Sequence, residues 1–365
     1  MSVLSIEEKL LSKLRKAKGV RKPTTKNIFE RVMIIPPRRV WVSNYERNLI
    51  SIFNPGVVKN GKNIEIFARL AFEYYKYASS LGWMVLSFDE VLEGRVRERY
   101  EVKIVMWPRY LWDFRGCEDP RVTLKDGKIM MLYTGAAYMG LEDKERFKGI
   151  RQKYSEKLMV LGDVLAYAEF DEERKPHRKG YFKIVDEDEA YLPFSNKDAA
   201  FLGGGRRDWI LHRPHIGGPE DMRTRMGWNG YVDLDEMVIY ADTMEVTLPL
   251  EGWETKVGWS TNAVKIGSDE YLVGWHGVLF ENIEYRNGLA VVDGEGRLRG
   301  ITNYVLAVSG DLQESYGDRP LSIFGDGLIK VDEMIYWFGG LCDYAIGVYR
   351  TEFDKVMEEM KWLRG

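Results

Sequence analysis

A turn followed by four or five mostly apolar residues recurs five times along this chain, and each copy closes on a small or chemically active residue. The copies are Gly61 to Arg69, Gly127 to Gly135, Arg207 to Arg213, Asp269 to Gly277 and Asp332 to Gly340. From Arg69 to Gly135, Arg213, Gly277 and Gly340 the steps are 66, 78, 64 and 63 residues. A repeat of that length, made of short strands and turns, fits one four-stranded blade, and five copies predict five blades around a central channel. A two-sheet sandwich supplies similar strands without the regular spacing. The expected fold is all-β: a five-bladed β-propeller over residues 27–351, with an N-terminal helical extension (1–26) and a C-terminal helix packed on the propeller (352–365).

Both ends read as helix. Ser5 with Glu8 makes a capping box, Ile6, Leu10, Leu11 and Leu14 form an apolar stripe, and Gly19 is placed to end the helix. Phe353, Val356, Met357 and Met360 share one face of a second helix expected over Glu352 to Leu363. Either face suits an outer blade or a second subunit, which leaves a homo-oligomer through the terminal helices open. The basic tail of the first helix (Lys13, Arg15, Lys16, Lys18, Arg21, Lys22) reads as a partner of the helix dipole before a nucleic-acid contact. Two long loops, Leu141 to Lys157 and His215 to Asp235, are expected at one end or the other of the channel.

Composition removes several classes of function. A formal charge of −3 over 365 residues leaves no molecule-wide footprint for nucleic acid. Cys117 and Cys342 are too few for a disulfide framework and lack metal-ligand spacing. No apolar run is long enough to span a bilayer and the N-terminus is charged from Glu7 onward, so a cytoplasmic protein without a membrane partner is expected. A charged fraction of 30% with only Gln152 and Gln313 as glutamines leans toward a thermophile source. Among His177, His212, His215 and His276, only His212 and His215 stand close in sequence, and no carboxylate completes a facial set beside them, so no metal is expected. Nucleophile elbow, phosphate-cradling glycine loop and dinucleotide fingerprint are all missing.

The block Gly116-Cys117-Glu118-Asp119-Pro120-Arg121 stands before an apolar strand. Pro120 biases Asp119 toward extended geometry, where successive side chains face opposite ways. Asp119 and Arg121 are therefore expected on one side and Glu118 on the other. That places one carboxylate in a site beside a guanidinium; a buried ion pair pinning the strand is the competing reading. Arg69, Arg213 and His276 close repeats one, three and four, and equivalent positions in successive blades converge on the axis. They are expected to form an anion site beside Asp119. Tyr110, Trp112, Tyr138 and Trp228 are aromatic rings suited to sugar faces, although blade cores use aromatics too.

Taken in order, several short motifs resemble glycoside hydrolase family 130, the β-mannoside phosphorylases and their relatives. They are Asn54-Pro55, Arg69, Glu118-Asp119-Pro120-Arg121, Lys197-Asp198, Leu211-His212-Arg213-Pro214, Trp275-His276-Gly277-Val278, Glu314 with Gly317, and Phe338-Gly339-Gly340-Leu341-Cys342-Asp343. The resemblance implies a five-bladed propeller and inverting phosphorolysis of a β-mannoside oligosaccharide to α-mannose 1-phosphate. It implies Asp119 as proton donor, acting through a sugar hydroxyl. Arg69, Lys197, Arg213 and His276 would surround the phosphate and Asp343 would hold the sugar in the cleaved subsite. Asn54, Arg121 and Tyr138 are the further candidate substrate contacts. Inorganic phosphate is the expected co-substrate, with no other cofactor. One carboxylate suffices because phosphate is already an anionic nucleophile, whereas an inverting hydrolase needs a second carboxylate to activate water. Two rival expectations stand beside this one: a hydrolase on the same scaffold using Glu314 or Asp221, and a non-catalytic propeller that binds glycans or a protein. Departures from the family pattern fall at Leu81, where relatives carry an acid, at Gly258 to Ala263, and from Trp228 to Asp242.

Overall fold

The computed structural model describes residues 4–74, 77–139, 160–187, 189–218 and 220–363; the Leu141–Lys157 insertion lies outside them. Each of the five repeat segments is the second strand of a four-stranded antiparallel blade. Blade 1 comprises Ser51–Asn60, Asn63–Ala71, Ser79–Ser87 and Tyr100–Met106. Blade 2 comprises Gly116–Lys125, Lys128–Met139, Val160–Phe170 and Pro176–Tyr181. Blade 3 runs through Ser195–Phe201, Arg207–His215, Gly227–Asp233 and Val238–Tyr240. Blade 4 runs through Glu254–Trp259, Tyr271–Leu279, Tyr285–Val292 and Leu298–Ile301. Blade 5 has Ile323–Val331, Met334–Leu341 and Ala345–Glu352, and takes its outer strand from the other end of the chain. That strand, Glu30–Ile35, runs antiparallel to Ala345–Glu352, with Glu30 opposite Arg350 and Ile35 opposite Ile346.

The blades pack face to face, which explains why their second strands read as nearly unbroken apolar runs rather than alternating ones. Five apolar cores fill the five gaps. Phe67, Leu81 and Tyr133 join blades 1 and 2, and Leu132, Tyr167 and Trp228 join blades 2 and 3. Leu211, Trp259 and Trp275 lie between blades 3 and 4, Leu289 and Trp337 between 4 and 5, and Ile66, Ile329 and Phe338 between 5 and 1. Leu81, the departure from the family's acid, is fully buried in the first of these cores. Trp228 is likewise a core residue rather than a sugar platform.

The N-terminal helix, α1 (Ile6–Lys16), carries the expected Ser5–Glu8 capping box and buries Ile6, Leu10 and Leu14 against the core of blades 2 and 3. Its apolar stripe is thus covered within one chain. The helix stops at Lys16 with an extended Ala17 cap, short of Gly19. Gly19 serves a different need: a Cβ there would collide with the Glu251 carboxylate, which accepts the Arg21 backbone N–H at 2.7 Å. At the other end the helix expected over Glu352 to Leu363 is shorter, α2 (Phe353–Glu358). The chain then turns into a two-residue strand, Lys361–Trp362, that pairs with the open edge of Leu298–Ile301 in blade 4. Unpaired edge groups there hydrogen-bond the chain more favourably than a further helical turn would. No helix among the described residues is long and apolar enough to cross a membrane.

Candidate functional site: a charged cleft on the propeller axis

Four of the five innermost strands slip register at matching places. The ladders shift between Phe53 and Gly56, Glu118 and Arg121, Lys197 and Ala200, and Gly325 and Gly327. The extra residues are Asn54, Asp119, Asp198 and Asp326. A β-bulge bends its strand and re-aims a side chain, and Asn and Asp tolerate the left-handed backbone that three of these adopt, with φ of 46°, 49° and 55° at Asn54, Asp119 and Asp198. The extended geometry expected for Asp119 ahead of Pro120 is therefore overturned. Because Asp119 sits in a bulge, it does not point away from Glu118: Arg69 Nη2 lies 2.8 Å from Glu118 Oε1 and Arg69 Nη1 3.2 Å from Asp119 Oδ1.

Both carboxylates line a cleft of about 150 Å³ together with Asn54, Arg69, Lys197, Asp198, Arg213, Lys256, Tyr285, Arg319 and Asp343. Asn54 Nδ2 donates to Asp119 Oδ1 at 2.8 Å. Arg69 Nε donates to Ser79 Oγ at 2.8 Å, and its guanidinium lies over the Phe53 ring at 4.9 Å. Lys197 Nζ is 3.0 Å from Asp163 Oδ2, and Arg213 Nε donates to Asp198 Oδ2 at 2.5 Å. Lys256 Nζ donates to Tyr285 Oη at 2.6 Å.

Burial and charge pull these groups apart in proton affinity. Burial raises the Asp119 carboxyl, but Arg69, Lys197, Arg121 and the Asn54 hydrogen bond outweigh it and leave it below the usual range. Glu118 goes the other way: burial pushes it up to about 7 in spite of Arg69. Burial also raises Asp343 to about 6. Asp198, although buried, is held low by the charges of Arg213 first and then Arg121 and Lys197. Five cations and four carboxylates line the cleft, and burial favours the protonated form of Glu118 and Asp343, which adds to the positive excess.

The remaining sequence candidates fall in three places. His276 is fully buried beneath the cleft, with Nδ1 3.0 Å from Ser260 Oγ and Nε2 3.7 Å from Asp198 Oδ2, and burial keeps its imidazole neutral well below the usual range. Arg121 is 2% exposed and also lies beneath the lining. Tyr138 ends a blade 2 strand, and its side chain lies outside the described residues. Tyr110 and Trp112 stack on each other at 5.3 Å around Lys179, away from the cleft lining. Glu314 is occupied elsewhere by Arg31, Ser309 and Tyr349, and neither it nor Asp221 lines the cleft. Among the described residues no cluster of three or more His, Cys, Asp or Glu is arranged to hold a metal.

Sequence reasoning missed Glu118, Asp198, Lys256, Tyr285 and Arg319 as lining residues. The bulge pattern was the available signal for two of them: Lys197-Asp198 stands on an innermost strand as Glu118-Asp119 does. Lys256 and Tyr285 sit on blade 4 strands outside any of the motifs the sequence offered.

A propeller whose axis carries a buried acid amid clustered cations defines a class of enzyme that brings an anionic reactant to a substrate needing a proton. The profile of glycoside hydrolase family 130, described as beta-1,4-mannooligosaccharide phosphorylase, matches residues 19–362, and the chain belongs to that family. A beta-1,2-mannobiose phosphorylase from Thermoanaerobacter sp. (strain X514) is 28% identical over 336 residues, covering 86% of this chain and 94% of the relative. Among solved structures, the beta-1,2-mannobiose phosphorylase from Listeria innocua superposes with a TM-score of 0.65 at 16% identity, over 91% of this chain and 98% of that one. The mannose phosphorylase MPT-4 from Leishmania mexicana, in complex with a phosphate ion, gives 0.58 at 15% identity, over 93% and 92%. These two likenesses establish the shared propeller fold.

Proposed function

We propose that this protein is an inverting phosphorylase of β-mannosides, with inorganic phosphate as co-substrate. The observation that carries the reading is the shared cleft: Asp119 stands among Arg69, Lys197, Arg213, Lys256 and Arg319, while the carboxylates considered for activating water, Glu314 and Asp221, are elsewhere. A phosphate oxygen attacks the anomeric carbon as the glycosidic C–O bond breaks. The departing oxygen takes a proton that originates on Asp119, relayed by a sugar hydroxyl, and the products are α-mannose 1-phosphate and a shortened sugar. Asp119 is held ionised in the empty cleft chiefly by Arg69 and Lys197. An arriving dianion offsets those charges and raises the carboxyl's proton affinity, which couples phosphate binding to readiness of the acid.

In this reading Arg69, Lys197 and Arg213 clamp phosphate, joined by Lys256 and Arg319. His276, neutral and buried beneath the cleft, adds no charge to the clamp. Asp343 and Asn54 hold the sugar. Two buried free cysteines fit a reducing compartment, and a cytoplasmic enzyme has phosphate at hand. The test is a product assay on β-1,2- and β-1,4-linked mannobiose with and without phosphate. Sugar 1-phosphate formed only with phosphate is expected; free mannose in both conditions overturns the reading in favour of hydrolysis.

A further inference from the structure

We infer that Arg121 is a positioning residue for this reaction, fixing the Asp119 bulge and the Asp198 carboxylate from beneath the cleft without touching substrate. The inference rests on Asp119 being the proton donor.

Its guanidinium reaches four blades at once. Nη1 donates to the backbone oxygen of Asp119 at 2.9 Å in its own blade 2. Nε donates to the backbone oxygen of Ser260 at 2.5 Å, at the end of the inner strand of blade 4. Nη2 lies 2.8 Å from Asp326 Oδ1 in blade 5 and 3.7 Å from Asp198 Oδ1 in blade 3. The plane lies over the Phe324 ring at 5.3 Å. The bulge removes Asp119 and Pro120 from the ladder; Arg121 supplies the hydrogen bond that its strand partner does not. Through Asp198 the same group is linked to Arg213, which lines the cleft. One side chain therefore ties the acid to a cation of the anion site. Asp326 completes the arrangement as a fully buried carboxyl whose proton affinity burial raises well above the ordinary range, and neither of its oxygens has a hydrogen-bond partner.

A lysine has one compact ammonium and cannot serve three directions with a planar fork. Displacing an acid by about 1 Å is worth up to about 100-fold in rate. The decisive comparison is Arg121→Lys and Arg121→Met against the parent, measured as kcat, KM for phosphate and for mannobiose, pH profile and Tm. Arg121→Lys is expected to lose about 30- to 100-fold in kcat with both KM values within about threefold. In Arg121→Met the limb of the profile set by Asp119 moves to higher pH, because a cation that lowers its proton affinity is gone. Arg69, Asn54, Glu118, Lys197, Asp198, Asp326 and Asp343 remain around it in both variants. A purely structural role would lower Tm and the active fraction while leaving that limb in place.

Asp326→Asn keeps Arg121 and its own shape, and is expected to cost about three- to tenfold in kcat with unchanged KM. This milder change carries the test if the Arg121 variants do not fold. Unchanged kcat in folded Arg121→Lys or Asp326→Asn overturns the inference, as does a KM for phosphate or sugar raised more than about tenfold at constant kcat, which would mark a substrate contact. Full activity in Asp119→Asn would instead sink the reading on which it rests.

Discussion

Arg21 and Arg121 are both buried arginines, yet their surroundings differ in kind. Arg21 anchors the N-terminal segment to blade 4: Nη1 and Nη2 each donate to Glu254 at 2.8 Å, and Nη2 also donates to the Pro249 oxygen at 2.7 Å. Tyr304 Oη donates to the same carboxylate at 2.5 Å, and the guanidinium lies over Trp275 at 4.5 Å. The charges buried in that corner are matched, although Trp275 Nε1 beside them has no hydrogen-bond partner. Around Arg121, by contrast, Asn54 Oδ1, Arg121 Nη2, His276 Nε2 and both Asp326 oxygens have no hydrogen-bond partner, and Glu118 is pushed up to about 7. The Arg21 corner pairs the charges it buries, whereas the Arg121 region leaves charged and ionisable groups unmatched, as expected where a ligand is to resolve them.

The comparison breaks first at Asp119. Asp119→Asn should lower kcat by about 10³- to 10⁴-fold, in the range of a lost general acid, with Tm close to the parent. If Tm collapses and turnover per folded molecule survives, the cleft is a structural region like the Arg21 corner. Arg21→Met is the mirror experiment. Leaving Glu254 buried without its partner should cost about 3–5 kcal/mol of stability in denaturant unfolding, while kcat of the folded fraction stays within about twofold of the parent. An altered KM for phosphate in that variant would show that the two regions are coupled.

Arg213→Ala should raise KM for phosphate by about 10- to 100-fold, the worth of one charge-assisted hydrogen bond; an unmoved KM removes Arg213 from the clamp. The smallest and sharpest effect belongs to Glu118. Its folded-state affinity for a proton exceeds the ordinary value of 4.5, so it costs the fold nothing below that pH and destabilises increasingly as pH rises toward about 7. Above that, its charge opposes phosphate. Glu118→Gln should therefore gain stability relative to the parent between pH 5 and 8 and flatten the rise of phosphate KM by a few-fold. Parallel profiles in parent and variant would place the proton elsewhere.

The sequence revealed the blades because blade strands are short, apolar and punctuated by turns at regular distances. It revealed Asp119, Arg69 and Arg213 because equivalent positions of a propeller converge, while Lys197 entered through the family resemblance. What it hid was the backbone at Asp119: a proline one residue later argues for extended geometry, and only the pairing across Lys128–Met139 exposes the slipped register. Glu118 was lost with it. His276 was read as facing an anion and Arg121 as a substrate contact, since nothing local to either residue says how deep beneath a lining it lies. The C-terminal helix ran too long because an apolar stripe carries no information about an unpaired edge in a distant blade.

The pairing of Glu30–Ile35 with Ala345–Glu352 has a consequence for how the molecule is made. The outermost strand of the last blade is synthesised before the other four blades, and it must wait until they have all left the ribosome before its partner exists. The ring cannot shut progressively. Closure is a late, non-local step of high contact order, expected to limit the folding rate, and until it occurs blade 5 presents a bare edge to its neighbours.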